Sequence, residues 1–150
     1  MNDTNISIVV DAMGGDNSPN KVLKGVEIFS FKRPEVKIIL FGKKNLIEDS
    51  IKYLKIKLFN YDIINTNDNI TNEDTPNVIL RNRKDSSIYR GLEYVKDDNI
   101  KSGFVSAGNT AAIMILSRLI LGMIKGIDRP AICSILPNYK SNSIMLDLGA

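Results

Sequence analysis

Three short runs of the chain bring together residue types able to hold an anion. The first is Asp11-Ala12-Met13-Gly14-Gly15-Asp16. Gly14 and Gly15 allow backbone N–H groups to approach a negative ligand with no Cβ in the way, and a helix start just beyond would add partial positive charge. The same two glycines would serve equally in a tight turn, with Asp11 and Asp16 accepting backbone hydrogen bonds. The run matches neither the dinucleotide-binding glycine fingerprint nor a P-loop. The second run is Ser106-Ala107-Gly108-Asn109-Thr110. Gly108 permits close approach, and Ser106, Asn109 and Thr110 offer hydroxyl and amide groups suited to phosphate. A helix cap uses the same side chains but needs only one of them. The third is Arg81-Asn82-Arg83-Lys84-Asp85-Ser86-Ser87. Arg81, Arg83 and Lys84 could hold an anion with Ser86 and Ser87 donating, or could form a solvated helix face.

Other chemistries are excluded by what the sequence lacks. It contains no histidine, so no Ser-His-Asp or Cys-His arrangement can be built, and the usual general base of neutral pH is missing. Histidine-ligated metal sites fall with it, and one cysteine cannot make a structural zinc site. Chemistry here must rest on binding, orienting and polarising, or on residues beyond position 150.

The elements that must position the three runs follow from hydrophobic periodicity. Ile6 to Val10 is continuous and β-branched, the pattern of a strand buried on both faces of a parallel sheet. Ser18-Pro19 reads as N-cap and first helical position, and Val22, Val26 and Phe29 line one face of the helix that follows. Strands are expected at 37–41, 59–64, 103–106, 131–136 and 144–148. Helices are expected at 46–55, from about Val78 with Ile88, Leu92 and Val95 on one face, and at 110–123. Residues 65–77 form a long polar loop of the kind that carries function. The alternation implies an α/β fold with a mostly parallel sheet and helices on both faces, without an internal boundary. The 111–124 stretch is apolar nearly all round but too short to span a bilayer, and Ser117 and Arg118 interrupt it. A helix buried on two sides, or at a subunit interface, is expected.

Composition agrees with a soluble globular domain: 150 residues, 43% hydrophobic, 25% charged, formal net charge +3. The charge is too mild to mark a nucleic-acid binder, though it tolerates an anionic substrate or an acidic partner. Cys133 stands alone, so no internal disulfide forms, and the first residues show neither the basic start nor the apolar run of a secretory signal.

Several motifs occur together and in order: DAMGGD at Asp11–Asp16, KDSS at Lys84–Ser87, SAGNT at Ser106–Thr110, Arg129-Pro130-Ala131, and LDLGA at Leu146–Ala150. In that order and spacing they resemble the phosphate acyltransferase family of bacterial phospholipid synthesis, from about Ile6 to Ala150. The family usually has glycine where this chain has Ala111. The resemblance implies transfer of a fatty acyl group from acyl carrier protein to inorganic phosphate, giving an acyl phosphate for glycerol-3-phosphate acylation. It implies a three-layer α/β/α sandwich similar to phosphate acetyltransferases and the isocitrate dehydrogenase group. It further implies a cytoplasmic homodimer lightly attached to the inner membrane, with no metal or organic cofactor. Family members are about twice this length, so the chain is expected to be the N-terminal portion of a single domain, inactive alone. Two other readings stay open: a phosphate acetyltransferase-like enzyme using coenzyme A thioesters, and a non-catalytic phosphate-binding protein.

On this reading the phosphate or acyl phosphate is expected at backbone N–H groups of Gly14, Gly15 and Gly108 and at the side chains of Ser106, Asn109 and Thr110. Arg81, Arg83 and Lys84, with Ser86 and Ser87, are weaker candidates for anion or carrier-protein contact. Carboxylates repel a phosphate unless paired, so Asp11, Asp16 and Asp147 are expected to organise loops or pair with a cation. The general acid or base is not assignable.

Overall fold

The computed structural model describes residues 6–71, 73–97 and 101–148. Four parallel strands form one sheet in the order β3-β2-β1-β4, where β1 is Ile6–Asp11, β2 is Lys37–Gly42, β3 is Tyr61–Asn65 and β4 is Lys101–Val105. Between them run α1 (Asn20–Lys32), α2 (Lys44–Leu54), α3 (Pro76–Asn82) and α4 (Ser87–Val95), and α5 (Thr110–Ile120) follows β4. β1 lies at the centre, with Val9 opposite Ile39 on one side and Phe104 on the other.

Strand side chains alternate between two buried faces. Val10, Ile38 and Leu40 pack with Leu23, Val26 and Ile47 of α1 and α2. Val9, Ile39 and Phe41 point the opposite way, toward Tyr94 and Phe104, and the Phe41 and Tyr94 rings meet edge to face with centroids 5.8 Å apart. A further cluster joins Ile79, Ile88, Leu92, Leu116 and Ile120 of α3, α4 and α5. This is a three-layer α/β/α arrangement. Leu40 is fully buried, and truncating it to alanine should cost about 2–5 kcal/mol.

Three local readings are corrected. Ser18 is not the cap of α1: Pro19 occupies that position, and the Ser18 hydroxyl instead donates to the Met13 carbonyl at 2.8 Å, closing the preceding turn. The single helix expected from Val78 is two, because Ser86 caps a new start, accepting from the Tyr89 N–H at 3.2 Å while donating to the Arg83 carbonyl at 2.7 Å. Along α5 the stripe Ala112, Leu116 and Ile120 is buried, whereas Leu119 is 57% exposed. The last two strands, β5 (Cys133–Pro137) and β6 (Asn142–Leu146), do not extend the parallel series. They form a separate antiparallel hairpin, with Ile135 opposite Ile144. Its turn closes from the Asn138 N–H to the Ser141 carbonyl at 2.8 Å, and so short a link can join only antiparallel strands.

Candidate functional site

In a parallel sheet the strands all end at one edge, and the helices that return along it begin there, so loops and helix N-termini converge. The first two glycine-bearing runs lie on neighbouring strands at this edge, 95 residues apart in sequence but in direct contact. Asp11, at the end of β1, is 1% exposed. One of its carboxylate oxygens accepts from the Met13 N–H at 3.0 Å and the other from the Ser106 hydroxyl at 2.7 Å. The Ser106 oxygen in turn accepts from the Gly108 N–H at 2.9 Å. These bonds clasp one turn to the other.

The clasp leaves no room for a side chain at position 14. A Cβ on Gly14 would sit 2.5 Å from the Asp11 Oδ2 and 2.7 Å from the Gly108 nitrogen. Gly15 has φ +82°, the left-handed region that favours glycine, and a Cβ there would lie 2.9 Å from the Ala107 carbonyl oxygen.

Beside the clasp opens a cleft of about 610 Å³. Gly14, Gly15, Asp16, Gly108 and Asn109 of the two turns line it, together with Asn69 and Thr71 of the long polar loop. Lys21, from the first turn of α1, also lines it and has no carboxylate partner among the described residues. The Gly14 and Gly15 N–H groups likewise have no hydrogen-bond acceptor among the described residues. Open amides on a glycine turn, a helix start and a free ammonium make a cleft suited to a small oxyanion.

The family model for "fatty acid synthesis protein" matches residues 6–150. The chain belongs to that family. Its members with curated names include a phosphate acyltransferase of Caldicellulosiruptor bescii, 42% identical over 143 residues, covering 95% of this chain and 42% of the relative. Another is the phosphate acyltransferase of Magnetococcus marinus, 39% identical over 145 residues, covering 97% of this chain and 41% of the relative. That of Clostridioides difficile is 37% identical over 146 residues, with 97% and 42% covered. The chain thus spans about two-fifths of the length of the curated relatives it matches.

Within this family frame, the candidates divide by how their polar atoms are used. Gly14, Gly15 and Asp16 border the cleft, with Asp16 exposed. Ser106 and the Gly108 N–H spend their hydrogen bonds on the clasp. Asn109 caps α5, its Oδ1 accepting from the Ala112 N–H at 2.9 Å, while its Nδ2 donates to the Thr71 carbonyl at 3.4 Å. Thr110 opens α5 and is exposed. Ala111, where glycine is usual, is an exposed first-turn residue that α5 accommodates.

The third run does not line the cleft. Arg81 and Lys84 are exposed at the α3–α4 junction. Arg83 is bound to Asp74, with Nη2 at 2.8 Å and Nε at 3.2 Å from the same oxygen, and its Nη1 lies 3.9 Å from Asp68. The Arg83 guanidinium, with help from the Thr71 backbone N–H, holds the Asp74 carboxyl below its usual range. Ser86 and Ser87 are buried at the start of α4, Ser86 as its cap. Asp147 is exposed beyond β6, with φ 60° and its N–H donating to the Ile132 carbonyl, outside the cleft lining. Gly149 and Ala150 of the LDLGA motif lie outside the described residues.

Sequence reasoning missed Lys21, Asn69 and Thr71. Lys21 carried a faint signal: a cation in a helix's first turn opposes the dipole, which suggests an anion nearby. Asn69 and Thr71 sat in the loop singled out for its length, with nothing in their types to separate them from its other polar residues.

Proposed function

We propose that the complete protein transfers a fatty acyl group from acyl carrier protein to inorganic phosphate, and that this chain supplies the phosphate-holding part of the site. The observation that carries the reading is the cleft beside the two clasped turns, lined by Gly14, Gly15 and Lys21. The name shared by the relatives supports phosphate as the acceptor. Acyl carrier protein as donor, a homodimer, a cytoplasmic location and a peripheral membrane contact rest on the resemblance alone.

The reaction asks little of a side-chain base. A phosphate oxygen attacks the thioester carbonyl carbon, the carbonyl π electrons move to oxygen, and the tetrahedral intermediate collapses with cleavage of the C–S bond. The leaving thiolate takes up a proton, and the product is an acyl phosphate. Phosphate is already ionised at neutral pH, so a histidine-free cleft can serve by holding it in line with the carbonyl. The Gly14 and Gly15 N–H groups and the Lys21 ammonium would bind the non-attacking phosphate oxygens. The buried Asp11 is suited to holding the two turns together rather than to meeting the anion, since it already accepts two hydrogen bonds.

The test is direct. The complete protein is mixed with acyl carrier protein thioester and phosphate, and acyl phosphate is trapped as its hydroxamate. Phosphate-dependent release of free carrier protein with stoichiometric hydroxamate is expected. Turnover with coenzyme A thioesters but not with carrier protein would move the reading to the acetyltransferase-like class, and binding without turnover would leave a phosphate-binding protein.

A further inference from the structure

Arg83 stood out in the sequence as a possible anion ligand, yet its side chain is committed elsewhere. Both Nε and Nη2 donate to Asp74 Oδ1. The other Asp74 oxygen accepts from the Thr71 N–H at 2.8 Å and the Thr71 hydroxyl at 3.2 Å. The Thr71 carbonyl accepts from Asn109 Nδ2, and Asn109 Oδ1 caps α5. Thr71 and Asn109 both line the cleft. One unbroken series of hydrogen bonds therefore runs from the α3–α4 junction, through the long loop, to the turn after β4. The backbone of Arg83 is fixed at its own end, because its carbonyl accepts from both the Ser86 hydroxyl and N–H. Between Thr71 and the guanidinium, Asp74 is the only intermediary among the described residues, and its side chain is 7% exposed.

We propose that Arg83 is a positioning residue for the anion cleft: acting through Asp74, it sets the Thr71 and Asn109 wall against which the ligand seats. The proposal rests on the reading of the cleft as a phosphate site. Its chemistry is that of a charge-assisted pair orienting a largely polar loop. Ile70, buried between Asn69 and Thr71, anchors the same loop to the α3–α5 cluster, and Asn67 and Asp68 tie its start to Asp85.

The experiment uses the complete protein with inorganic phosphate as the probe, followed by calorimetry. Arg83→Gln and Asp74→Asn should each weaken phosphate binding by about tenfold through misplacement of the wall, and the double variant should be no weaker than either single one. Arg83→Lys, which keeps the charge, should recover part of the loss. If Arg83 contacted phosphate itself, Asp74→Asn would free the guanidinium and leave binding intact or tighter while Arg83→Gln weakened it; that pattern overturns the proposal, as does unchanged binding in both. Amide hydrogen exchange supplies a second readout. Exchange at Thr71 and Ala112 should quicken in Arg83→Gln while that at Leu40 stays put. Uniform acceleration across the sheet would mean a merely structural role and overturn the positioning role. If the unaltered protein binds no phosphate, the functional reading falls, whereas the exchange pattern still decides whether Arg83 holds the loop.

Discussion

The turn after β1 and the turn after β4 leave adjacent parallel strands at the same edge, yet they spend their hydrogen bonds differently. In the first, the Asp11 carboxylate takes the Met13 N–H of its own turn and the Ser106 hydroxyl of the other, while the N–H groups of Gly14 and Gly15, which line the cleft, have no acceptor among the described residues. In the second, the Gly108 N–H is taken by Ser106, and the Asn109 side chain is divided between the α5 cap and Thr71. Two runs of similar composition thus use their groups differently: one leaves backbone donors without an acceptor among the described residues, the other spends its donors on the clasp and the α5 cap. A count of small polar residues near a helix start does not distinguish these uses, because capping and ligand binding draw on the same groups.

The sharpest way to break the comparison is to add one methyl group to each turn. Gly14→Ala should destabilise the complete protein by about 1–3 kcal/mol in urea unfolding and abolish phosphate binding, since its Cβ meets backbone and a buried carboxylate. Gly108→Ala should do much less, because the nearest atoms to its Cβ lie at 3.1 and 3.2 Å and can give slightly. Equal damage at both positions would erase the distinction.

A smaller effect is expected at Asn109. Asn109→Leu should cost about 1 kcal/mol through the lost cap of α5 and raise the phosphate concentration needed for half-maximal rate. Unchanged phosphate dependence in steady-state kinetics would remove the second turn from the site altogether.

Smaller again is Lys21→Gln. An exposed ammonium contributes modestly, so phosphate affinity should fall about two- to fivefold at low salt, with the difference shrinking as salt is added. A salt-independent loss would mean that Lys21 acts by packing rather than by charge.

The smallest effect concerns acid. Asp74 is held below its ordinary value of 3.8 by the Arg83 hydrogen bonds, so the pair's contribution to stability is fully present above that value. It is lost as pH falls through the depressed pKa. In Arg83→Gln this part of the acid sensitivity should vanish, as followed by unfolding midpoints between neutral pH and the acid limb.

Much of this was legible along the chain. The β-branched run Ile6–Val10, the glycines after it and the apolar face of α1 specify strand, turn and helix by local sterics and periodicity alone, and the family resemblance followed from motifs in order. Boundaries read less well. The break at Ser86 was hidden because Ile79 and Ile88 both face one core, so apolar spacing ran across the junction without a gap. The final hairpin was misassigned because its strand-forming residues are indistinguishable in type from those of a parallel strand; only the brief 138–141 link betrays the pairing.

By itself, then, the sequence determined the alternating elements, the two glycine-bearing turns at strand ends and the lack of histidine among its 150 residues. These depend on neighbours a few residues apart, where backbone sterics and side-chain period act. The tertiary structure decided which amides remain open, that Ser106 reaches across to Asp11, that Arg83 serves a carboxylate nine residues away instead of a ligand, and that Lys21 joins the cleft. Hydrogen-bond capacity is limited and is allotted only when distant segments meet. A donor's availability is therefore a property of the assembled edge, not of the residue that carries it.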